Sequence, residues 1–267
     1  MLGFATVAVK VLAGLVVGTL VGLTGLGGGM VLLPVLIYFL GVPPIVAVGS
    51  DAVINCVTKI GAGSVHWSRG NVDAALILSL VCGSIPGAMI GVALLNSLHA
   101  TYGDGANVFL RAVIGALLLL IPIGYLINVR SSQSGEAPSK LSQGKFLPGA
   151  TLIGLGAGLL VGMTSIGSGS VILLFLLVIY GLPPATMVGT DVVHAVLLSG
   201  VAAALQFKLG NVDLKLVFWV LLGSVPGGIL GAFLANHVPS ARLKPILCTL
   251  LMVVGARMLW GTLLHAN

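Results

Sequence analysis

Apolar residues run along this chain in long blocks separated by short polar or glycine-rich stretches, and the blocks fall into two sets of five. In the first half they cover roughly 3–23, 29–41, 44–67, 72–97 and 107–129; in the second, 147–163, 169–181, 184–207, 213–236 and 242–263. A helix rising about 1.5 Å per residue needs about 20 residues to cross a hydrocarbon layer, and most of these blocks approach or exceed that. The blocks at 29–41 and 169–181 do not. They are predicted to be half-helices that return from a break at the preceding glycine cluster to the side of entry. Leu26 to Gly29 and Ile166 to Gly169 supply permissive backbone for the breaks. Pro43-Pro44 and Pro183-Pro184 then stop each half-helix and open the next helix.

The two sets are copies. Residues 22–91 align with 162–231 at an offset of 140 without a gap, and 25 of the 70 pairs are identical. GLTGLGGG answers GMTSIGSG, LGVPPIVAVGSDAV answers YGLPPATMVGTDVV, and GSIPGAMIG answers GSVPGGILG. What repeats is mostly Gly, Pro, Asp and Asn, residues that set backbone geometry or polarity rather than bulk. A hairpin of two half-helices returns the chain to its starting side, and three full spans then carry it across. Each half therefore crosses an odd number of times, which inverts the second relative to the first. An independent dip by one short segment would instead leave the halves parallel.

The reading is an all-α polytopic membrane protein of two inverted-topology repeats, each a broken helical hairpin plus three transmembrane helices. The first repeat covers 1–129 and the second 147–267. Between them 130–146 forms a polar, Ser/Gly-rich flexible linker. Broken helices at a repeat interface are the usual place for a transporter's site, with one repeat expected to rock against the other.

Composition narrows the class without changing this outline. Hydrophobic residues make up 58% of the chain and charged residues 7%, with a mean hydropathy of +1.18. A soluble domain would carry roughly 25% charged residues. The net charge of +6 is scattered, with neither the basic cluster nor the aromatic platform that nucleic acid requires. The three cysteines lie in apolar segments without CxxC spacing and read as small core residues. Nothing predicts a metal, a cofactor or catalytic residues. The first segment has an internal lysine and no charged leader, so it reads as mature structure rather than a signal peptide. Basic residues divide too evenly between the two sides to orient the chain.

Candidate chemistry gathers at the breaks. The N-terminus of a half-helix offers free N–H donors and a positive dipole end, which suit an anion. Thr24, Gly27, Gly28 and Gly29 in the first half and Thr164, Gly167, Ser168, Gly169 and Ser170 in the second stand at or beside those ends. Close helix packing through small residues is the competing explanation for the glycines. Asp51 and Asp191 are repeat-equivalent acids inside apolar segments. They fit either a clamp on the donors of a neighbouring half-helix or a coupling site for a proton or other cation. Asn55 and Lys59 share a helix face with Asp51, so Lys59 either pairs with that acid or attracts an anionic substrate. Lys59 is matched by Ser199, and His194 by Ile54, so the symmetry fails at both. His194 reads as a hydrogen-bonded core residue or as a proton relay. Asn71 to Asp73 and Asn211 to Asp213 read as helix caps.

The spacing G-x-x-G-x-G-G-G, a short apolar run, Pro-Pro, then GS-x-PG-x-x-x-G, all repeated after a polar linker, resembles the TauE/SafE sulfite-exporter family of membrane permeases. The resemblance extends from about Gly14 to Gly261. It implies transport, rather than enzymatic turnover, of a small sulfur-containing anion such as sulfite or an organosulfonate. The multi-pass carrier would sit in the inner (plasma) membrane, and a homo-oligomer is compatible with it. The family's glycine motif falls on Gly22, Gly25, Gly27, Gly28 and Gly29, while Ser165 and Ser168 replace two of its glycines in the second half. An anion channel or a carrier of an unrelated solute remain alternatives. An intramembrane serine protease does not fit, because the first half has no serine at the matching positions, Gly28 for Ser168 and Met30 for Ser170.

Overall fold

The computed structural model of the chain describes residues 2–24, 28–131, 147–167, 171–172, 176, 184–234 and 240–265, and the regular structure among them is helical. In chain order the helices are α1 (Leu2–Thr24), α2 (Gly28–Pro34), α3 (Pro44–Ser68), α4 (Ala74–Tyr102), α5 (Asp104–Ser131), α6 (Pro148–Thr164), α7 (Pro184–Lys208), α8 (Leu214–Leu234) and α9 (Ser240–His265). Among the described residues seven helices are long and apolar enough to cross a membrane, and Gly28–Phe39 and Pro148–Thr164 are shorter apolar helices. This is a polytopic helical membrane protein. The expected linker loses its first two residues, Arg130 and Ser131, to α5; the rest of it and most of the 169–181 block lie outside the described residues.

Local chemistry sets the boundaries. α2 continues into a π-helical turn, Val35–Phe39. That turn follows Pro34, which has no N–H to donate and crowds the carbonyl one turn back. Pro43, extended at ψ 137°, ends this segment, and Pro44 takes the first position of α3, where a missing donor costs nothing. Asp73 and Asp213 cap α4 and α8 by accepting from the Leu76 and Leu216 amides, each at 3.0 Å. Both caps are as the repeated NVD motif predicts.

The helices pair mainly across the two halves. α1 packs along α8, α4 along α6, α3 against α7 and α5 against α9. The contacts are reciprocal at the sequence offset. A Cβ on Gly14 or Gly18 would strike the carbonyls of Val220 or Ser224, and one on Gly154 or Gly158 those of Leu80 or Ser84. Gly83 lies against the Thr151 carbonyl as its counterpart Gly223 lies against that of Val11. Lipid provides no hydrophobic force between helices, so close backbone contact through small residues does that work. Along these seams neighbours advance together: Gly14, Gly18 and Leu23 of α1 meet Val220, Ser224 and Gly231 of α8. At the α3–α7 crossing they run oppositely. Cys56 meets Gly200 and Val196, whereas Gly63 meets Val196, Val193 and Val192.

Two hydrophobic cores result, and neither coincides with a sequence half. One joins residues of α1, α2, α3 and α5 and Leu95 of α4 to Ile166, α8 and α9; the other joins Leu76, Leu80 and Ala88 of α4 to α6, α7, Ile172 and Leu176. Between them Ala52 of α3 meets Ala202 and Ala203 of α7. Each core thus draws on both sequence halves: α8 and α9 enter the first, and α4 contributes Leu95 to the first and Leu76, Leu80 and Ala88 to the second.

Candidate functional site

The α3–α7 crossing lies at Cys56 and Val196, the central residues of their helices. Around it gather the polar side chains that apolar helices would otherwise exclude. Asp51, Asn55 and His194 are buried, Asp191 is 4% exposed, and Lys59 is half-buried.

The first-half cluster is built on α3 and closes on the start of α2. The Asn55 amide donates to Asp51 Oδ2 at 2.7 Å, four residues apart on one helix face. Asn55 Oδ1 sits where a Cβ on Gly28 would stand, and a Cβ on Gly29 would come within 2.8 Å of both Asp51 Oδ2 and the Ser165 carbonyl oxygen. The glycines thus admit a carboxylate, an amide and a carbonyl against the first turn of the half-helix. Asp51 Oδ1 has no hydrogen-bond partner.

Ser165 brings the second break to the first. α6 ends at Thr164, and Ser165 then adopts a left-handed conformation, φ 56°, followed by Gly167 at φ 117°. A non-glycine residue in that region is strained and persists only where its surroundings hold it. Here Thr164 holds it. The Thr164 hydroxyl donates to Leu160 O and accepts from the Ile166 amide, turning the chain immediately beyond the helix. The Ser165 hydroxyl is buried without a hydrogen bond and lies beside the Asp51 carboxyl. Sequence reasoning noted Ser165 only as a lapse from the glycine motif; its position in that motif was the available signal.

Across the crossing, Asp191 and His194 project from α7. His194 Nε2 is 2.8 Å from Ser84 Oγ of α4, and its Nδ1 has no partner. Ser84 belongs to the repeated GS-x-PG motif and was read as geometry alone. Lys59 lies within electrostatic reach of Asp51, Asp191 and His194, so one cation serves both acids rather than Asp51 only. The structure therefore brings together Gly28, Gly29, Asp51, Asn55 and Ser165, and joins Lys59, Asp191 and His194 to them electrostatically. Thr164 acts through the turn, Gly167 lies just beyond it, and the Thr24 side chain is outside the described residues. So are Gly27, Ser168, Gly169 and Ser170.

The GSD and GTD triplets explain how the helices are seated. Gly49 and Gly189 lie against the Asn211 and Asn71 carbonyls of the opposite half. Ser50 Oγ accepts from the Asp213 amide at 3.1 Å, and Thr190 Oγ1 from the Asp73 amide at 2.9 Å. Each NVD loop is thus pinned to the helix that carries the other half's acid.

Comparison with known proteins agrees with this architecture. Residues 10–258 match the family described as Sulfite exporter TauE/SafE. The chain is 33% identical over 255 residues to the probable membrane transporter protein YjnA of Bacillus subtilis, covering 93% of this chain and 98% of that protein. It is 25% identical over 267 residues to a second such protein of B. subtilis, YunE, covering 94% and 97%. A probable membrane transporter of Xylella fastidiosa is 26% identical over 259 residues, 93% of each chain. No solved structure matches significantly.

Proposed function

The chain belongs to the TauE/SafE family of membrane transporters, and on that premise we propose that it carries a small sulfur-containing anion, such as sulfite or an organosulfonate. The carrier works by alternating access in the inner membrane and has no enzymatic step. Its repeats are inverted: the opposite running of α3 and α7 supports a pseudo-twofold axis perpendicular to those helices, hence in the membrane plane. One repeat rocks against the other, with Ala52 of α3 and Ala202 and Ala203 of α7 in contact between them.

One observation carries the reading. Asp51, Lys59 and Asp191 converge where two membrane-length helices cross at their centres, beside a broken helix. Along the axis each lies about 8 Å or less from mid-helix. Ionisable groups at that depth are costly and mark a substrate or ion path. The Lys59 ammonium and the amides at the breaks provide the attraction for an oxyanion, and the glycines allow backbone to approach it. The candidate contacts are Thr24, Gly27, Gly28, Gly29, Asn55, Lys59, Thr164, Gly167, Ser168, Gly169, Ser170 and His194.

The test is a binding screen of sulfite, thiosulfate, sulfoacetate and sulfate on purified protein, followed by counterflow of the bound anions in proteoliposomes. Saturable binding with exchange supports a carrier. Conductive flux without exchange would make the protein a channel, and failure to bind any of the four would remove the substrate class.

A further inference from the structure

The chain treats its two repeat-equivalent acids differently. Asp51 receives the Asn55 amide and lies beside the Ser165 hydroxyl. Where Asn55 stands in the first half the second has Ala195, and where Lys59 stands it has Ser199, whose hydroxyl donates to the Ala195 carbonyl instead. Oδ1 of both acids is buried without a hydrogen-bond partner, so what separates them is the Asn55 amide on Asp51 Oδ2, for which Asp191 has only Ala195 at the matching position.

The charged and titratable groups around Asp191 can be named element by element among the described residues. α3 presents Lys59 and Asp51, with Cys56 toward Val196 and His66 beside Gly189. α7 itself presents His194, which is engaged by Ser84 of α4. α6 contains no ionisable side chain. One ammonium therefore faces two carboxylates, and an entering anion adds at least a third negative charge to a buried site. A single proton removes one of the three, and Asp191, which has alanine where Asp51 has the Asn55 amide, is where it costs least to place.

We propose that Asp191 binds a proton together with the anion, so that the carrier is an anion–proton symporter in which Asp51 remains the ionised clamp. The inference rests on the carrier reading above and adds its coupling ion. Asp191 joins the proton through Oδ1; no bond to the anion forms or breaks.

The experiment uses the purified full-length protein in weakly buffered detergent with a pH indicator, titrated with thiosulfate, sulfate and sulfoacetate, none of which titrates near neutral pH. Wild type should take up about one proton per anion bound, and its affinity should weaken by up to about tenfold per pH unit on the alkaline side. Asp191→Asn should show no uptake and a pH-independent affinity. The infrared carboxylic C=O band that forms on anion addition should move to the glutamic-acid position in Asp191→Glu and stay in place in Asp51→Glu. Binding by wild type without proton uptake overturns the inference and leaves the carrier intact, as does a band that follows Asp51→Glu. Uptake that persists in Asp191→Asn overturns it too. If wild type binds none of these anions, the carrier reading and the coupling fall together, and the isotherm alone reveals it.

Discussion

The α1–α8 and α4–α6 seams match one another glycine for glycine, whereas the α3–α7 crossing keeps its acids and changes three of the side chains around them. Gly14 and Gly154, Gly18 and Gly158, and Gly83 and Gly223 make equivalent backbone contacts at an offset of 140. At the crossing, Asn55 answers Ala195, Lys59 answers Ser199 and His194 answers Ile54. Backbone packing depends on shape, and shape is satisfied equally well in both copies. A site for a single anion needs one cation, one arrangement of donors and one place for compensating charge, so duplicated chemistry there would leave like charges facing each other.

Substitutions on the two sides of this comparison should differ in size and in kind. The largest loss is expected for Lys59→Met, which leaves two carboxylates without their shared cation. Breaking a buried ion pair typically costs about 3–5 kcal/mol. Thermal unfolding in detergent should show recovery of most of that loss when Asp51→Asn is added; a double variant as unstable as the single one would mean that Lys59 stabilises the fold by other contacts.

Next comes the seam. Gly83→Leu would force α4 away from the Thr151 carbonyl, and overpacking of this kind costs about 3 kcal/mol. Gly223→Leu, on the other seam, should cost the same within experimental error. Unequal losses in folded yield and melting temperature would break the claim that the seams are equivalent.

A smaller effect tests the pins. Ser50→Ala and Thr190→Ala each leave one cap amide, of Asp213 or Asp73, without its acceptor, at about 1 kcal/mol apiece. Matched shifts in melting temperature support reciprocal docking of the loops. The smallest effect is expected at Gly156→Ala. A Cβ there meets nothing within 4 Å. Removing a mid-helix glycine should raise stability by up to about 1 kcal/mol; destabilisation would place an unrecognised contact on that face.

Much of the helical outline was legible from residue types whose effect is local. Pro43-Pro44 opens α3 as their backbone limits require, Asp73 and Asp213 cap the next helices, and the shortness of 29–41 appears as α2 with its π-turn. Partner choice was less legible. Helices apolar on every side do not advertise which face meets protein and which meets lipid, so the pairing of α1 with α8 left only the four-residue spacing of Gly14, Gly18 and Gly22 as a trace. Within the site, the link of Asp51 to Asn55 was readable from helical spacing. The approach of Ser165 to Gly29 and of Ser84 to His194 was not, because each joins residues more than a hundred positions apart whose meeting depends on the completed fold. Ser165 also shows a limit of motif reading: a glycine position was filled by a residue held left-handed by its neighbours.

The packing of α1 along a helix of the other half has a consequence for biosynthesis. α1 leaves the ribosome well before the helix it packs along, since α8 begins roughly 200 residues later. At about 5–20 residues per second, α1 waits on the order of 10–40 s with its glycine face turned to lipid or to the insertion machinery. The early segments must therefore tolerate incomplete assembly. A ribosome that stalls before Leu214 would leave an inserted chain lacking the helix that α1 packs along, and the quality-control proteases of the membrane would have that exposed seam to recognise.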